Sequence, residues 1–499
     1  MAQNAATPLT VSQLITRQDE HTALLEPHTG TSLTYGDLHE IVSDCARRLA
    51  FLGVGAGDRI ALSFPNGVAM LISFLAVVDL GASAAPFNSA LGEREVTEEL
   101  TDLRVTRLLH ARENSTAASA ATALGIPTHV VSDVPVLDVE GPAGRRSFDP
   151  AGSDSIALLL HTSGTTSRPK TVPIRQRNLT ASTSSIVATY GLDEKDVTYC
   201  VMPLFHVHGL VAAALGTLAS GGTVIVPPRF SATTFWEDIA RTGATWYTAV
   251  PTIHSIVLSK AIETDEPHTP GLRFVRSCSA PLPVPEWRRY EDRIEVPLVE
   301  AYGMTEASHQ MSSNPLPPGE RRPGSVGVET GIEVTVLDEN WIEVPIGERG
   351  EVSVRGRSIV DGYLDNAEAN EANFKDGWFR TGDVGTMTDD GYLTLVGRVK
   401  ELINRAGEKI SPYEVEAVLL EHPAVSEAAA YPIPDPVYGE KVGVVVVLRS
   451  GATPAELLSH CAELLASFKV PASIAVLGEI PKGPTGKVQR RNLAGLVET

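Results

Sequence analysis

Between Leu33 and Glu306, short apolar runs alternate with stretches whose apolar residues recur at helical spacing, which restricts the chain to layered α/β architectures. GDLHEIVSDCARRLAFLG opens the series, with Leu38, Ile41, Val42, Cys45, Leu49 and Leu52 on one predicted helical face. DRIALSF (58–64) reads as a strand and NGVAMLISFLAVVDLGA as a helix ended near a glycine. VTRLLH, THVVSD and SIALLLHTSGTTS continue the alternation, and VIV, SATTFWEDIAR and TWYTAV repeat strand, helix, strand. In RFVRSCSAP and PLVEAYGMTE, polar residues stand at the ends of apolar runs, where a parallel sheet presents its binding loops.

Two changes of pattern follow. From roughly residue 325, IEVTVLD, EVSVRG and YLTLVGR predict antiparallel strands joined by Gly-rich turns. Just after Gly397, KELINRAGEKISPYEVEAVLLEH passes from sheet to loop to helix, with Ser411 as N-cap, Pro412 at N1 and Glu414 at N3 of a capping box. Val415, Val418, Leu419 and His422 share one face of that helix, and VGVVVVL and ELLSHCAELLA add a buried strand and a further helix. The prediction is a large N-terminal domain of layered β-sheets and helices over 1–397 and a small C-terminal α+β domain over 402–499. No internal repeat at solenoid spacing appears.

With 61 acidic against 41 basic residues the net charge is -20, and no basic run reverses it, so nucleic acid is not an expected partner. An anionic substrate must then be held by local cations, backbone N–H groups or metal. Cys45, Cys200, Cys278 and Cys461 form neither a disulfide framework nor a zinc-spaced pair. The N-terminus lacks a basic flank followed by a secretory core, and the apolar segments are short and interrupted, so stable membrane insertion is not expected. A cytoplasmic protein is expected; the final LVET is not the small-basic-Leu address, though a peroxisomal location stays open.

Several motifs carry chemistry. His161-Thr162-Ser163-Gly164-Thr165-Thr166-Ser167-Arg168-Pro169-Lys170 follows a strand with hydroxyls, a glycine and two cations, which suits a phosphate cradle, but its spacing is not that of a Walker loop. Composition alone leaves it open between that cradle and a surface turn. In PLFHVHGL, His206 and His208 share parity if the segment is extended and diverge if it is a loop; no third ligand at diagnostic spacing makes them zinc ligands, and His206 is the better candidate for lining a substrate entrance. Tyr302 can stack on a purine, Thr305 bind a phosphate oxygen and Glu306 help hold a magnesium ion, although the same residues also suit an ordinary turn. GWFRTGD reads as a tight aromatic-rich turn whose Asp383 can accept ribose hydroxyls; Arg398 can reach ribose or phosphate, and Lys487 in PTGKVQR is a cation suited to charge developing at phosphorus.

Taken in order, HTSGTTSRPK, PLFHVHGL, AYGMTE, GWFRTGD, GRVKELINRAGEKISPYEVE and PTGKVQR closely resemble the superfamily of acyl-CoA synthetases, luciferases and nonribosomal-peptide adenylation domains, from His161 to Arg490. The resemblance implies ATP, magnesium and coenzyme A as reactants and helpers, and an acyl-adenylate made first and passed to a thiol afterwards. It makes Thr162 and 163–170, including Ser163, Gly164, Thr165, Thr166 and Lys170, the phosphate loop. Ser279, Ala280, Pro281, Glu300, Ala301, Tyr302 and Gly303 would surround adenine, Thr305 would meet phosphate, Glu306 magnesium, and Asp383 and Arg398 ribose. Lys487 would act at the adenylation centre, His206 where pyrophosphate leaves and the second substrate approaches, and Lys400 at a hinge over 398–401 that lets the smaller domain rotate.

Within that superfamily LLLHTSGTTSRPK, RFSATTFWEDI, ATWYTAVPTIH, RFVRSCSA and TEASHQMSSNPLPPG resemble the oxalate-CoA ligase branch of plants and fungi. Oxalate or a similar small carboxylate is the implied partner, with Ser279 and His309 facing its second carboxylate, His254 behind them, and the protein a monomer or weak homodimer. Another short dicarboxylate or an aromatic acid is the alternative. Thr171, Asn404 and Ala406 depart from the branch: the first and last stand where glycine is common, and Asn404 where several relatives carry lysine.

Overall fold

Two large sheets dominate the computed structural model, which describes residues 9–111, 116–131, 151–162, 169–264, 271–483 and 488–497. Six strands form the first, in the order Thr128–Val130, Arg107–His110, Arg59–Ser63, Ser83–Pro86, Ile156–Thr162 and Lys170–Arg175. All neighbours are parallel except the last pair, an antiparallel hairpin whose connection is the glycine- and serine-rich stretch. The second sheet has nine strands. Its centre is parallel and includes Trp246–Ala249, Phe274–Ser277 and Leu298–Met304, while His309–Ser313 returns antiparallel against Leu298–Met304 at one side.

The principal core lies between these sheets, and two helices there have no solvent face. Val68–Asp79 is buried continuously from Met70 to Val78, and His208–Leu215, wound as a π-helix, is buried at every residue. A helix that is apolar all round has to be enclosed, which is why these two separate the layers. Tyr35–Phe51 is one-sided instead: Leu38, Cys45 and Leu49 face the core, and its first turn is held by a reciprocal pair in which Thr34 Oγ1 accepts from Asp37 N at 3.0 Å and Asp37 accepts from Thr34 N at 2.9 Å.

The third sheet is antiparallel and contains Glu333–Leu337, Gly350–Arg355, Trp378–Met387, Leu393–Arg398 and Phe374–Lys375. It corrects one expectation in part: only Gly377 of GWFRTGD lies in a tight turn, with Asp376, and the rest is the first part of the ten-residue strand Trp378–Met387. Pairing on both sides supplies hydrogen bonds that no local turn could match, so Gly382 is absorbed into the strand with a φ of 76°.

After Arg398 the chain turns and enters the small C-terminal α+β domain, whose sheet holds Ile403–Arg405, Glu408–Ile410, Gly439–Leu448, Val425–Asp435 and Ser473–Val476. One sheet face packs under the helices Pro412–Glu421 and Pro454–Leu464 through Val415, Leu419, Leu457 and Cys461; the other packs Tyr431 and Val445 against Ile480 and Leu493. Only half of the expected capping box forms. Ser411 Oγ accepts from Glu414 N at 3.2 Å, but the Glu414 carboxylate pairs with Lys469 instead of turning back, and the Ser411 hydroxyl donates to the Val396 carbonyl. All four cysteines are buried free thiols, and among the described residues no helix is long and apolar enough to cross a membrane.

Candidate active site

A cleft of about 2080 Å³ opens at the ends of the parallel strands and is walled by both domains. Strand ends are where this topology puts loops that are free of ladder duty. Of the residues singled out in sequence, His206, Ser279, Ala280, Pro281, Glu300, Ala301, Tyr302, Gly303, Asp383, Arg398 and Lys400 line it. Ser163, Gly164, Thr165, Thr166 and Lys487 lie outside the described residues. Thr162 ends the strand Ile156–Thr162, its hydroxyl 3.5 Å from the Lys170 carbonyl.

Along one wall Asp383 is the centre of a charged knot. Arg398 Nε donates to Oδ1 at 2.9 Å and the Tyr302 hydroxyl donates to Oδ2. A carboxylate has about four lone-pair sites, so two acceptor positions are left for a sugar diol. Tyr302 is therefore tethered at its hydroxyl, and burial next to Asp383 holds that phenol well above its ordinary pKa. Glu300 is buried within the same strand and accepts from Gly324 N at 2.9 Å; burial pushes its pKa up to about 8. Gly303 has a packing reason to be glycine: a Cβ there would sit 1.9 Å from the His309 carbonyl oxygen.

Beside the cleft, Thr305–Ala307 forms one short helical turn carrying Glu306. The Tyr363 hydroxyl donates to Glu306 at 2.8 Å, and the Lys170 ammonium lies 4.4 Å from the centre of the Tyr363 ring. Burial raises the Glu306 pKa, opposed by Tyr363, Arg398 and Lys170. Burial also lowers that of Lys170, helped by the like charge of Lys400 and opposed by Glu306. Among the described residues no three His, Cys, Asp or Glu gather as a metal cage. One buried carboxylate with an oxygen to spare suits magnesium, which takes one or two protein carboxylates and completes its shell with water and phosphate oxygens. Thr171, a departure from the branch, has a partner: its hydroxyl lies 3.0 Å from His161 Nε2, whose other nitrogen meets Glu99 at 2.8 Å.

The two histidines of PLFHVHGL part company, as a loop allows. His206 lines the cleft, while His208 opens the π-helix and is buried. His208 Nδ1 lies 3.0 Å from Ser279 Oγ, and its ring stacks on His309 with centroids 5.1 Å apart. His309 does not stand on the cleft wall in this arrangement; it is buried behind it, with its Nε2 accepting from Arg276 Nη2 at 2.9 Å. His254 is farther back, buried against Tyr247 and Tyr290. Burial, with the Arg276 charge adding to it, holds both His208 and His309 well below the ordinary histidine pKa.

Arg276 was not anticipated. It sits in the parallel strand Phe274–Ser277 with no solvent exposure, inside what reads in sequence as an apolar run. The only sequence signal was a charged residue at a position that a central strand buries on both faces.

Residues 12–364 match the AMP-binding enzyme family model and residues 414–487 that of the AMP-binding enzyme C-terminal domain. A protein of Arabidopsis thaliana named oxalate–CoA ligase is 46% identical, with 93% of each chain covered. One of Cupriavidus necator named sulfoacetate–CoA ligase is 37% identical, with 94% of each covered. The crystal structure of ATP-bound MatB from Rhodopseudomonas palustris superposes with a TM-score of 0.90 at 28% identity over 98% of both chains.

Proposed function

The chain belongs to the AMP-binding enzymes of the adenylate-forming superfamily and is an AMP-forming acid-thiol ligase acting on a small carboxylic acid; from that premise we propose that the acid is oxalate and the thiol coenzyme A. The observation that carries the choice of acid is the Ser279 hydroxyl on the cleft wall, hydrogen-bonded from behind to His208, whose ring stacks on His309. A dicarboxylate brings a second charge that a hydrocarbon pocket would reject. The identity to the Arabidopsis thaliana ligase supports the same reading.

In this proposal one oxalate oxygen attacks the α-phosphorus of ATP, the bond to the bridging oxygen breaks, and pyrophosphate leaves oxalyl-AMP behind. Asp383 and Arg398 hold the ribose, Glu300, Ala301, Tyr302 and Gly303 with Ser279, Ala280 and Pro281 border the adenine, and Lys170, Thr162, Thr305 and residues 163–166 contact phosphates. Magnesium, held through Glu306, supplies charge neutralisation to the phosphates when bound. Lys487 steadies the charge that builds on the α-phosphoryl oxygens. The coenzyme A sulfur then attacks the oxalyl carbon past His206, the carbon–oxygen bond breaks, and AMP departs with the electron pair while the thiol proton goes to solvent. Both reactions share one cleft, so the domain of residues 402–499 is proposed to turn on 398–401, at Lys400, against residues 1–397.

The test is ATP–pyrophosphate exchange with oxalate, sulfoacetate, malonate, glyoxylate, acetate, coumarate and medium-chain acids. Oxalate is expected to give the highest kcat/KM. The oxalate reading fails if another acid turns over far faster while oxalate stays at background. Sulfoacetate is the second reading, favoured by the Cupriavidus necator relative.

A further inference from the structure

Arg276 presents a charge balance that the fold leaves open. Nε donates to the Tyr190 hydroxyl at 2.8 Å, Nη1 to Thr248 Oγ1 at 3.0 Å with His208 Nε2 at 3.4 Å, and Nη2 to His309 Nε2 at 2.9 Å and Gln310 Oε1 at 3.2 Å, with the Cys278 side chain as a further partner. Among the described residues no carboxylate pairs with it, although the neighbouring Arg273 is paired with Asp196 at 2.9 Å. A guanidinium stays protonated at any working pH, and burying one without a counterion is costly. Such a charge persists where a ligand completes it.

The hydrogen-bond directions lead from that charge to the cleft. Thr248 Oγ1 accepts from Arg276, so its own proton goes to His208 Nε2, 2.6 Å away. His208 then carries its proton on Nδ1 and donates to Ser279 Oγ at 3.0 Å. Ser279, which lines the cleft, has its lone pair engaged and its own proton free to point outward. Ser279 is held for this at a φ of 74°, which a serine adopts only when its surroundings impose it. Every link donates away from Arg276, and none returns a negative charge to it.

Resting on the reading that the acid carries a second anionic group beside Ser279, we propose that Arg276 is a positioning residue that selects dianionic acids, its uncompensated charge reaching the distal group through Thr248, His208 and Ser279. It touches no substrate itself. Its effect is to fix one imidazole tautomer and to leave the pocket one positive charge in excess.

Exchange kinetics with oxalate and with oxamate, the isosteric monoanion in which an amide replaces one carboxylate, read this directly. Arg276→Met and Gln310→Glu are each expected to lower the oxalate-to-oxamate ratio of kcat/KM by about 100-fold, the size expected when a desolvated charge partner is lost. The loss should appear in KM for the acid, with KM for MgATP unchanged, and Arg276→Lys should restore part of the ratio. Gln310→Glu decides the matter if Arg276→Met does not fold, because it keeps the guanidinium and the packing while supplying an internal counterion. Unchanged ratios in folded variants, or equal losses for both acids, overturn the inference. If wild-type protein prefers another dianion, the oxalate reading fails separately and the ratio is taken with that acid and its monoamide; a wild type indifferent to the second charge overturns the Arg276 inference too.

Discussion

Single residues in this cleft are set by what they are buried against. Glu306 needs its charge to hold magnesium in the proposed reaction, and the Tyr363 hydroxyl is a contact that favours that charge. Tyr363→Phe removes the donor, so the Glu306 pKa rises further and the acidic limb of the exchange profile is expected to move up by about one pH unit, the scale of one hydrogen bond to a charged group. A pH–rate profile of both proteins checks it, and an unmoved limb would exclude the link. Glu300 makes a stability prediction. Its folded pKa of about 8 lies above the ordinary 4.5, so its contribution is complete below pH 4.5 and is lost as pH rises to about 8, where the folded state holds a proton that the unfolded state has released. Thermal midpoints should fall across that window, and Glu300→Gln should fall less steeply. That Tyr302 and Asp383 would stand at the cleft was legible because their chemistry is concentrated in short motifs. Arg276 was not, because its neighbourhood comes from three strands and two helices meeting, with no trace in local spacing.

Elements show where local pattern suffices and where pairing overrides it. Helix Tyr35–Phe51 and strand Arg59–Ser63 follow from periodicity alone, since one buries a stripe and the other lies in a parallel sheet. The strand Trp378–Met387 did not, since the three strands it pairs with, not its own residues, decide its conformation. The hairpin of Ile403–Arg405 and Glu408–Ile410 carries a local conflict: Ala406 has a φ of 53°, where an L side chain crowds its own backbone. Ala406→Gly should remove about 1 kcal/mol of that strain, offset in part by added freedom in the unfolded chain. A rise in the urea midpoint of the C-terminal domain is expected, and a fall would mean that the turn is held by Asn404, whose Oδ1 accepts from Gly407 N at 3.1 Å, more firmly than its φ suggests.

Across the whole molecule, the proposed reaction runs two chemical steps in one cleft, so a residue that meets only the phosphorus centre serves the first step and not the second. Lys487→Ala is expected to cut oxalyl-AMP formation by about 100-fold or more while slowing the reaction of preformed oxalyl-AMP with coenzyme A far less, as suits a group that meets charge only at phosphorus. Separate assays of the half-reactions check it, and equal losses would count against the assignment. Among the described residues Arg449 of the smaller domain pairs with Glu286 of the larger at 3.3 Å, a contact that the proposed rotation would have to break. Burial lowers the Lys170 pKa and the like charge of Lys400 adds to it. In the proposed reaction a bound triphosphate would offset that repulsion, and departure of pyrophosphate would restore it.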